Sequence, residues 1–265
     1  MIARAGLPVL TWPLLDGHPV QAVVTSRRGG VSEGPYASLN LGLHVGDDPG
    51  AVQVNRQRAA AAIGLTLDDL VFCNQTHGRT VVEVSSADAG RGARTAATAI
   101  PGADALVTRE AGVGLVVMVA DCVPILLFDP VSRTLACVHA GWRGTVARVV
   151  EATIGAMAAH GVRAADLLVG VGPAIPGERY QVGEEVLDAA RDGLGVDADA
   201  VISPDGTGRW RFDLWAANTR LLTAAGVPPQ QISVSGIPTG PDTPFFSDRA
   251  QRPCGRFALL ATLTP

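Results

Sequence analysis

Asp121 and Cys122 stand side by side between two apolar runs, residues 114–120 and 124–128, and a third run, 134–138, leads straight into His139. A carboxylate and a thiol set among hydrophobic strands are costly to bury. A fold gains little from them there, so their position points to chemistry. A second histidine, His77, follows another apolar run, in Asn74-Gln75-Thr76-His77-Gly78. One cysteine and two histidines, each at a strand end, can make a metal site of three protein ligands with an open fourth position. His77, Cys122 and His139 are 45 and 17 residues apart, which is no zinc-finger spacing, so the fold itself must bring them together.

Three chemistries fit this set. Zinc on His77, Cys122 and His139 would activate a water, with Asp121 moving protons, for attack on an amidine-like carbon. Copper on the same ligands would do redox chemistry. Without a metal, Cys122 would be a nucleophile and His139 its base. A full multicopper centre needs more histidines than the five present, of which His18, His44 and His160 have no supporting block. The remaining cysteines read differently. Cys73 and Cys137 sit in apolar strands and read as core, while Cys254 follows Arg252-Pro253 and reads as an exposed loop thiol.

Composition narrows the classes. The chain has 265 residues, is 47% hydrophobic and carries a net charge near −4, which suits a soluble globular protein and argues against a nucleic-acid binder. No run is long enough for a membrane span, and Pro8, Pro13 and Asp16 interrupt the N-terminal segment where a signal peptide would need a continuous apolar stretch. Four cysteines make no disulfide framework, which points to a reducing cytoplasm. All 21 basic residues are arginine. Lysine Schiff-base chemistry and a Walker-type phosphate loop are therefore excluded, and any phosphate must be held by arginine forks and backbone N–H groups.

The elements that must position these residues can be read from pattern. Strands are expected at 20–25, 71–74, 80–84, 105–108, 114–120, 124–128, 134–139, 167–171, 232–235 and 255–263. Helices are expected from Asp48-Pro49 to Gly64, over 145–159, over 184–192 and over 213–225. Residues 85–101 read as a mobile loop. Asp121 and Cys122 can share one pocket only if the strand ends or bulges between them, and Pro124 makes a break there expected. His139-Ala140-Gly141-Trp142-Arg143-Gly144 runs into the helix read at 145, so its first-turn N–H groups and the Arg143 fork make an anion site beside His139. The mixed order lacks regular βα alternation and gives an α+β fold of layered sheet and helix, with residues 1–265 as one domain.

VHAGWRG with ADC upstream, SRRGGVSEGPYASLNLG near the N-terminus, NQTHG, and FFSDR near the C-terminus occur in this order over nearly the whole chain. Together they resemble the YfiH family, the laccase-domain or polyphenol oxidase proteins also described as purine nucleoside phosphorylases. The resemblance implies a sandwich related to the catalytic domain of cytotoxic necrotizing factor toxins. It implies zinc on His77, Cys122 and His139, with copper as the alternative metal. It also implies phosphorolysis of adenosine, inosine and methylthioadenosine, and deamination of adenosine. The family's Thr-Arg-x-Gly-Gly block maps its arginine onto Arg27, with Ser26 in place of the threonine, and FFSDRAQ carries over Arg249 alone. These and Arg143 are the expected grips on phosphate or nucleoside, and Phe245-Phe246 is a candidate platform for the base. The expected partners are small-molecule nucleosides and phosphate, with no nucleic acid and no membrane.

Overall fold

The strand Val123–Asp129 sends Val123, Ile125 and Leu127 to one face and Leu126 and Phe128 to the other, and all five are fully buried. A strand covered on both faces must lie inside a layered fold. In the computed structural model, which describes residues 1–265, it is central to a six-stranded sheet. The order is Ile232–Val234, Leu168–Val171, Val123–Asp129, Thr134–Ala140, Ala105–Thr108 and Val81–Glu83. A second six-stranded sheet runs Ile2–Arg4, Leu7–Leu10, Val20–Thr25, Phe257–Leu263, Gly114–Val119 and Leu70–Phe72.

The alternation explains the layers. Leu126, Phe128, Leu135 and Cys137 of one sheet meet Val24, Val117 and Leu259 of the other in a core between the sheets. The opposite face of the first sheet, with Ile125, Leu127, Ala136 and Val138, is covered by the helices Val149–Ala158, Glu184–Leu194 and Leu214–Ala224. The opposite face of the second, with Val23, Val116 and Leu260, is covered by the helix Pro49–Ala61 and by Leu39 and Leu41. The result is a helix–sheet–sheet–helix sandwich, the expected layered α+β fold. Each fully buried Leu, Ile or Phe contributes about 1.5–3 kcal/mol relative to exposure, so the strand ends are held by a stiff frame.

Gly114–Val119 lies in one sheet and Val123–Asp129 in the other. Ala120, Asp121 and Cys122 therefore carry the chain across the end of the inter-sheet core. Asp121 adopts a left-handed φ of 87°. This is the break between strands that placing Asp121 and Cys122 together requires.

The caps follow the sequence. Asp48 accepts from Ala51 N–H at 2.7 Å and Asp213 from Ala216 N–H at 2.9 Å, each opening its helix. Two expectations are corrected. The helix read over 145–159 begins earlier and is broken: Trp142–Val146 is a short turn capped by Gly141, and Val149–Ala158 follows after Arg148 at φ 62°. Residues 85–101 are built into the fold. Phe72 N–H donates to Arg91 O and Asn74 N–H to Ile100 O, both continuing the edge of the sheet. No helix is long and apolar enough to cross a membrane.

Candidate metal centre and its cavity

Three strand ends meet where the chain crosses between the sheets. Thr134–Ala140 delivers His139, the crossover delivers Cys122, and the segment after Leu70–Phe72 delivers His77. One ligand atom from each of the three lies within 4.8 Å of the others, so the group could hold a metal ion. The two imidazoles meet edge to face with centroids 4.7 Å apart. His139 is 2% exposed, Cys122 half-buried, and His77 open to the surface.

A carboxylate absent from the sequence reading organises this cluster. Asp104, fully buried, places Oδ1 2.8 Å from His139 Nδ1 and accepts His77 N–H at 2.9 Å. Its Oδ2 accepts Gly78 N–H at 2.6 Å and the Thr76 hydroxyl at 3.1 Å. With Nδ1 engaged, His139 presents Nε2 toward Cys122, the arrangement usual for a metal-bound histidine with an outer carboxylate. Gln75 pins the same loop from the other side: its amide takes Met118 N–H at 2.8 Å and donates to Met118 O at 2.7 Å. This substitutes for the ladder that ends at Phe72, and it holds His77 at φ 60°.

Gly141 and Gly144 serve close approach. A Cβ at Gly141 would lie 2.9 Å from both Cys122 Sγ and His77 Cδ2, and one at Gly144 would lie 2.9 Å from Gly78 O. The turn after His139 is therefore packed directly onto Cys122 and His77.

The charges are coupled. Burial opposes ionisation of Cys122, but His139 and then His77 outweigh it and bring the thiol down to about 6. Burial alone would lower His139. Cys122 and Asp104 raise it to about 9. Burial also works against the Asp104 carboxylate, yet His139, Gly78 N–H and Thr76 hold it at about 2. A metal would displace the His139 proton, and the resulting thiolate and two imidazoles, one of them oriented by a fixed carboxylate, would suit zinc or copper.

The cluster opens into a cavity of about 670 Å³. Asp121, Trp142, Arg143, Tyr180 and Arg249 share its wall with the three ligands. Arg143 lies over Trp142 at 4.3 Å and Arg249 over Tyr180 at 4.9 Å, cation–π contacts that help hold each guanidinium in place. Arg143 also meets Glu185 at 3.1 Å, a solvent-exposed pair that competes little with a ligand. Asp121 turns its oxygens inward, accepting Thr239 Oγ1 at 2.5 Å and Arg249 N–H at 2.7 Å.

The sequence model of the family described as multi-copper polyphenol oxidoreductase laccase matches residues 21–264. The chain belongs to this laccase family. A purine nucleoside phosphorylase, YlmD, from Geobacillus stearothermophilus is 40% identical over 87% of this chain and 85% of its own. A purine nucleoside phosphorylase from Deinococcus radiodurans is 43% identical over 84% of this chain and 80% of its own. The crystal structure of the Bacillus licheniformis hypothetical protein YfiH superposes with a TM-score of 0.90 at 34% identity, covering 94% of this chain and 98% of that one.

Not every residue singled out from the sequence of this laccase-family chain reaches the cavity. Arg27 lies elsewhere, over the Phe246 ring at 4.7 Å with Nε donating to Ala37 O, beside a separate small pocket. Phe245 and Phe246 are core residues, 0% and 1% exposed, so neither offers a face to a base. Cys254 is buried at 3%, against Arg256 and the Gly255 carbonyl, and is no exposed thiol. His44, Gln75, Asp104 and Tyr180 are the contributors the sequence reading missed. Asp104 alone had a local signal, a carboxylate immediately before the buried run Ala105–Thr108, the same kind of signal that marks Asp121.

Proposed function

We propose that this chain is a zinc-dependent purine nucleoside phosphorylase acting on adenosine, inosine and methylthioadenosine, with adenosine deaminase activity at the same centre. The observation that carries it is the His77–Cys122–His139 cluster opening into a cavity walled by Arg143 and Arg249, in a chain whose relatives are named purine nucleoside phosphorylases. Zinc held by the three residues would supply a Lewis acid at the position they leave open. The arginines, pre-set on aromatic rings, would grip phosphate bidentately. Trp142 and Tyr180 offer ring edges and the Tyr180 hydroxyl to a purine. Asp121 holds the Arg249 backbone in place and is the group nearest in chain to Cys122 for handling a proton. We read residues 1–265 as one catalytic domain acting in the cytoplasm, a reading supported by four cysteines that are all free.

A second reading has its own observation. The Cys122 thiol near 6 beside an imidazolium near 9 is the pairing of a metal-free thiol hydrolase. Copper chemistry has the family's description behind it, though of the other three histidines only His44 reaches the cavity, His160 being paired to Glu83 and His18 packed on Phe128.

Metal analysis of the purified protein, with nucleoside turnover measured with and without phosphate, separates these. The proposal expects about one zinc per chain, ribose 1-phosphate only when phosphate is present, and no need for O₂. Cys122→Ala should lose both metal and turnover while staying folded. Full zinc occupancy in that variant sinks the ligand assignment, strict O₂ dependence with copper moves the protein to the oxidase reading, and activity resistant to chelators moves it to the thiol reading.

A further inference from the structure

Arg56 is a buried charge without a counter-ion. It is 2% exposed. Its Nε donates to Leu41 O at 2.8 Å and its Nη1 to the Gly92 and Ala93 carbonyls at 2.6 and 2.9 Å. Nη2 rests 3.6 Å from Met118 Sδ, and the Phe72 ring covers the guanidinium at 3.9 Å. Every one of these partners is neutral, and burial pulls the group down to about 9. Leaving a guanidinium in this state is costly unless an anion can approach it.

Arg56 does not itself line the cavity, so it can act on an anion there only through its field. Met118, against which Arg56 ends, lines the cavity together with His44, Arg252 and Arg256. His44 stands in the field of both Arg256 and Arg56, which, after desolvation, act to keep it neutral. The wall is built rather than incidental. Leu41 N–H donates to Arg256 O at 2.9 Å, Arg256 N–H to Asn40 Oδ1 at 2.8 Å, and Gly42 N–H to the same oxygen at 2.9 Å. Residues 40–42 are thus clamped between Arg56 and Arg256, and His44 follows two residues later at the cavity wall. Asp248 meets Arg256 at 3.0 Å and Arg252 at 2.6 Å, while Asp47 accepts from Asn40 Nδ2 at 2.9 Å behind the wall. Two carboxylates against three guanidiniums leave the stretch cationic.

We propose that His44, Arg252 and Arg256, over the buried Arg56, form a second anion subsite that takes the phosphate monoester of a nucleoside 5′-phosphate. This rests on the nucleoside reading of the cavity. Met118 and Cys122 are four residues apart, so they lie at most roughly 14 Å from one another. One ligand can therefore place its phosphate by Met118 and its nucleoside toward His77, Cys122 and His139. Inorganic phosphate remains with Arg143 and Arg249, on a different part of the wall. The segment concerned, Ser38-Leu39-Asn40-Leu41-Gly42-Leu43-His44, has no part in the metal cluster, and this subsite gives it one.

Inosine, inosine 5′-monophosphate and inorganic phosphate are titrated calorimetrically into the metal-loaded protein, with no turnover partner present. The wild type should bind the monophosphate about tenfold or more tighter than inosine, the size of one charge-assisted hydrogen bond. In His44→Glu the fixed carboxylate occupies the anion's place: the ratio of the two affinities should fall to one or below, and the ligand-free melting temperature should rise. His44→Gln, neutral and similar in size, should keep part of the ratio and gain no stability. A monophosphate that binds wild type no tighter than inosine overturns the subsite, as does a ratio that survives in His44→Glu. If His44→Glu instead abolishes binding of inorganic phosphate alone, the pole belongs to the cosubstrate and the nucleotide assignment falls. Failure of the phosphorylase reading looks different, since nucleoside plus phosphate then yields no ribose 1-phosphate whatever these binding ratios are.

Discussion

Asp104 Oδ1 lies 2.8 Å from His139 Nδ1, with the two side chains 0% and 3% exposed. The same carboxylate receives the N–H groups of His77 and Gly78. One buried residue therefore sets the ring orientation of one proposed ligand and the backbone of another. Without it, His139 could turn about its side-chain bonds, and the loop bearing His77, at a left-handed φ of 60°, would have lost what holds it there.

Asp104→Asn tests this. An amide can accept on one side only, so its NH₂ must face either His139 Nδ1–H with His77 N–H, or Gly78 N–H with the Thr76 hydroxyl. Either way donors oppose donors. Zinc affinity, read by competition with a chromogenic chelator, should fall about 10–100-fold, as for other outer carboxylates. Unchanged affinity would leave Asp104 a purely structural residue.

Gly141→Ala separates packing at the centre from stability of the fold. Gly141 has φ −74° and ψ 173°, which any residue adopts, so alanine introduces no backbone strain. Its Cβ would nonetheless sit 2.9 Å from both Cys122 Sγ and His77 Cδ2. The ligands must shift by several tenths of an ångström, beyond the roughly 0.2 Å a metal site tolerates. The metal-free melting temperature should barely change while metal content drops. Stoichiometric metal in this variant would show that the turn yields instead of the ligands.

The contrast between these residues says what a sequence can display. His77, Cys122 and His139 were legible because each follows or interrupts an apolar run, where polar groups are costly. Ten strands were legible for the same reason, and Asp48 and Asp213 announced their helices, but Ile2–Arg4, Leu7–Leu10 and the small sheet of Gln181–Val182, Trp210–Phe212 and Ile202–Pro204 were not read. Arg148 was not. The apolar spacing Val146, Val149, Val150, Thr153 runs through it unbroken, yet the backbone there is left-handed and its side chain bonds Gly193 O at 2.8 Å. His44 and Tyr180 carry no local pattern; only the convergence of distant segments puts them on the cavity. Arg27 shows the reverse error. Its Gly-rich block reads as an anion loop, but the distance from Arg27 to the cluster is a property of the sandwich.

Asp121→Asn bears on the proton-handling role. Both Asp121 oxygens accept, from Thr239 Oγ1 and from Arg249 N–H. Asparagine can keep both contacts, its Oδ1 accepting Arg249 N–H and its NH₂ donating to Thr239 Oγ1, because a hydroxyl also accepts. The variant should retain metal, melt close to wild type and turn over adenosine more slowly, because only the carboxylate is lost from the cavity. A wild-type rate would make Asp121 structural alone.

Arg143→Lys addresses phosphate. The expected helix start at residue 145 would have given a long dipole beside His139, but the turn Trp142–Val146 is only five residues. What remains is the guanidinium itself, held over Trp142 at 4.3 Å and tied loosely to Glu185. Lysine keeps the charge yet loses the planar fork. Losing one charge-assisted hydrogen bond should raise the KM for phosphate about 10–100-fold. Deamination of adenosine uses water and no phosphate, so its rate should suffer far less. Steady-state kinetics on the two reactions, with phosphate varied in the first, measures the split. Equal losses in both, or no loss in either, would remove Arg143 from the phosphate site and leave Arg249 as the only arginine of the original three with a claim to it.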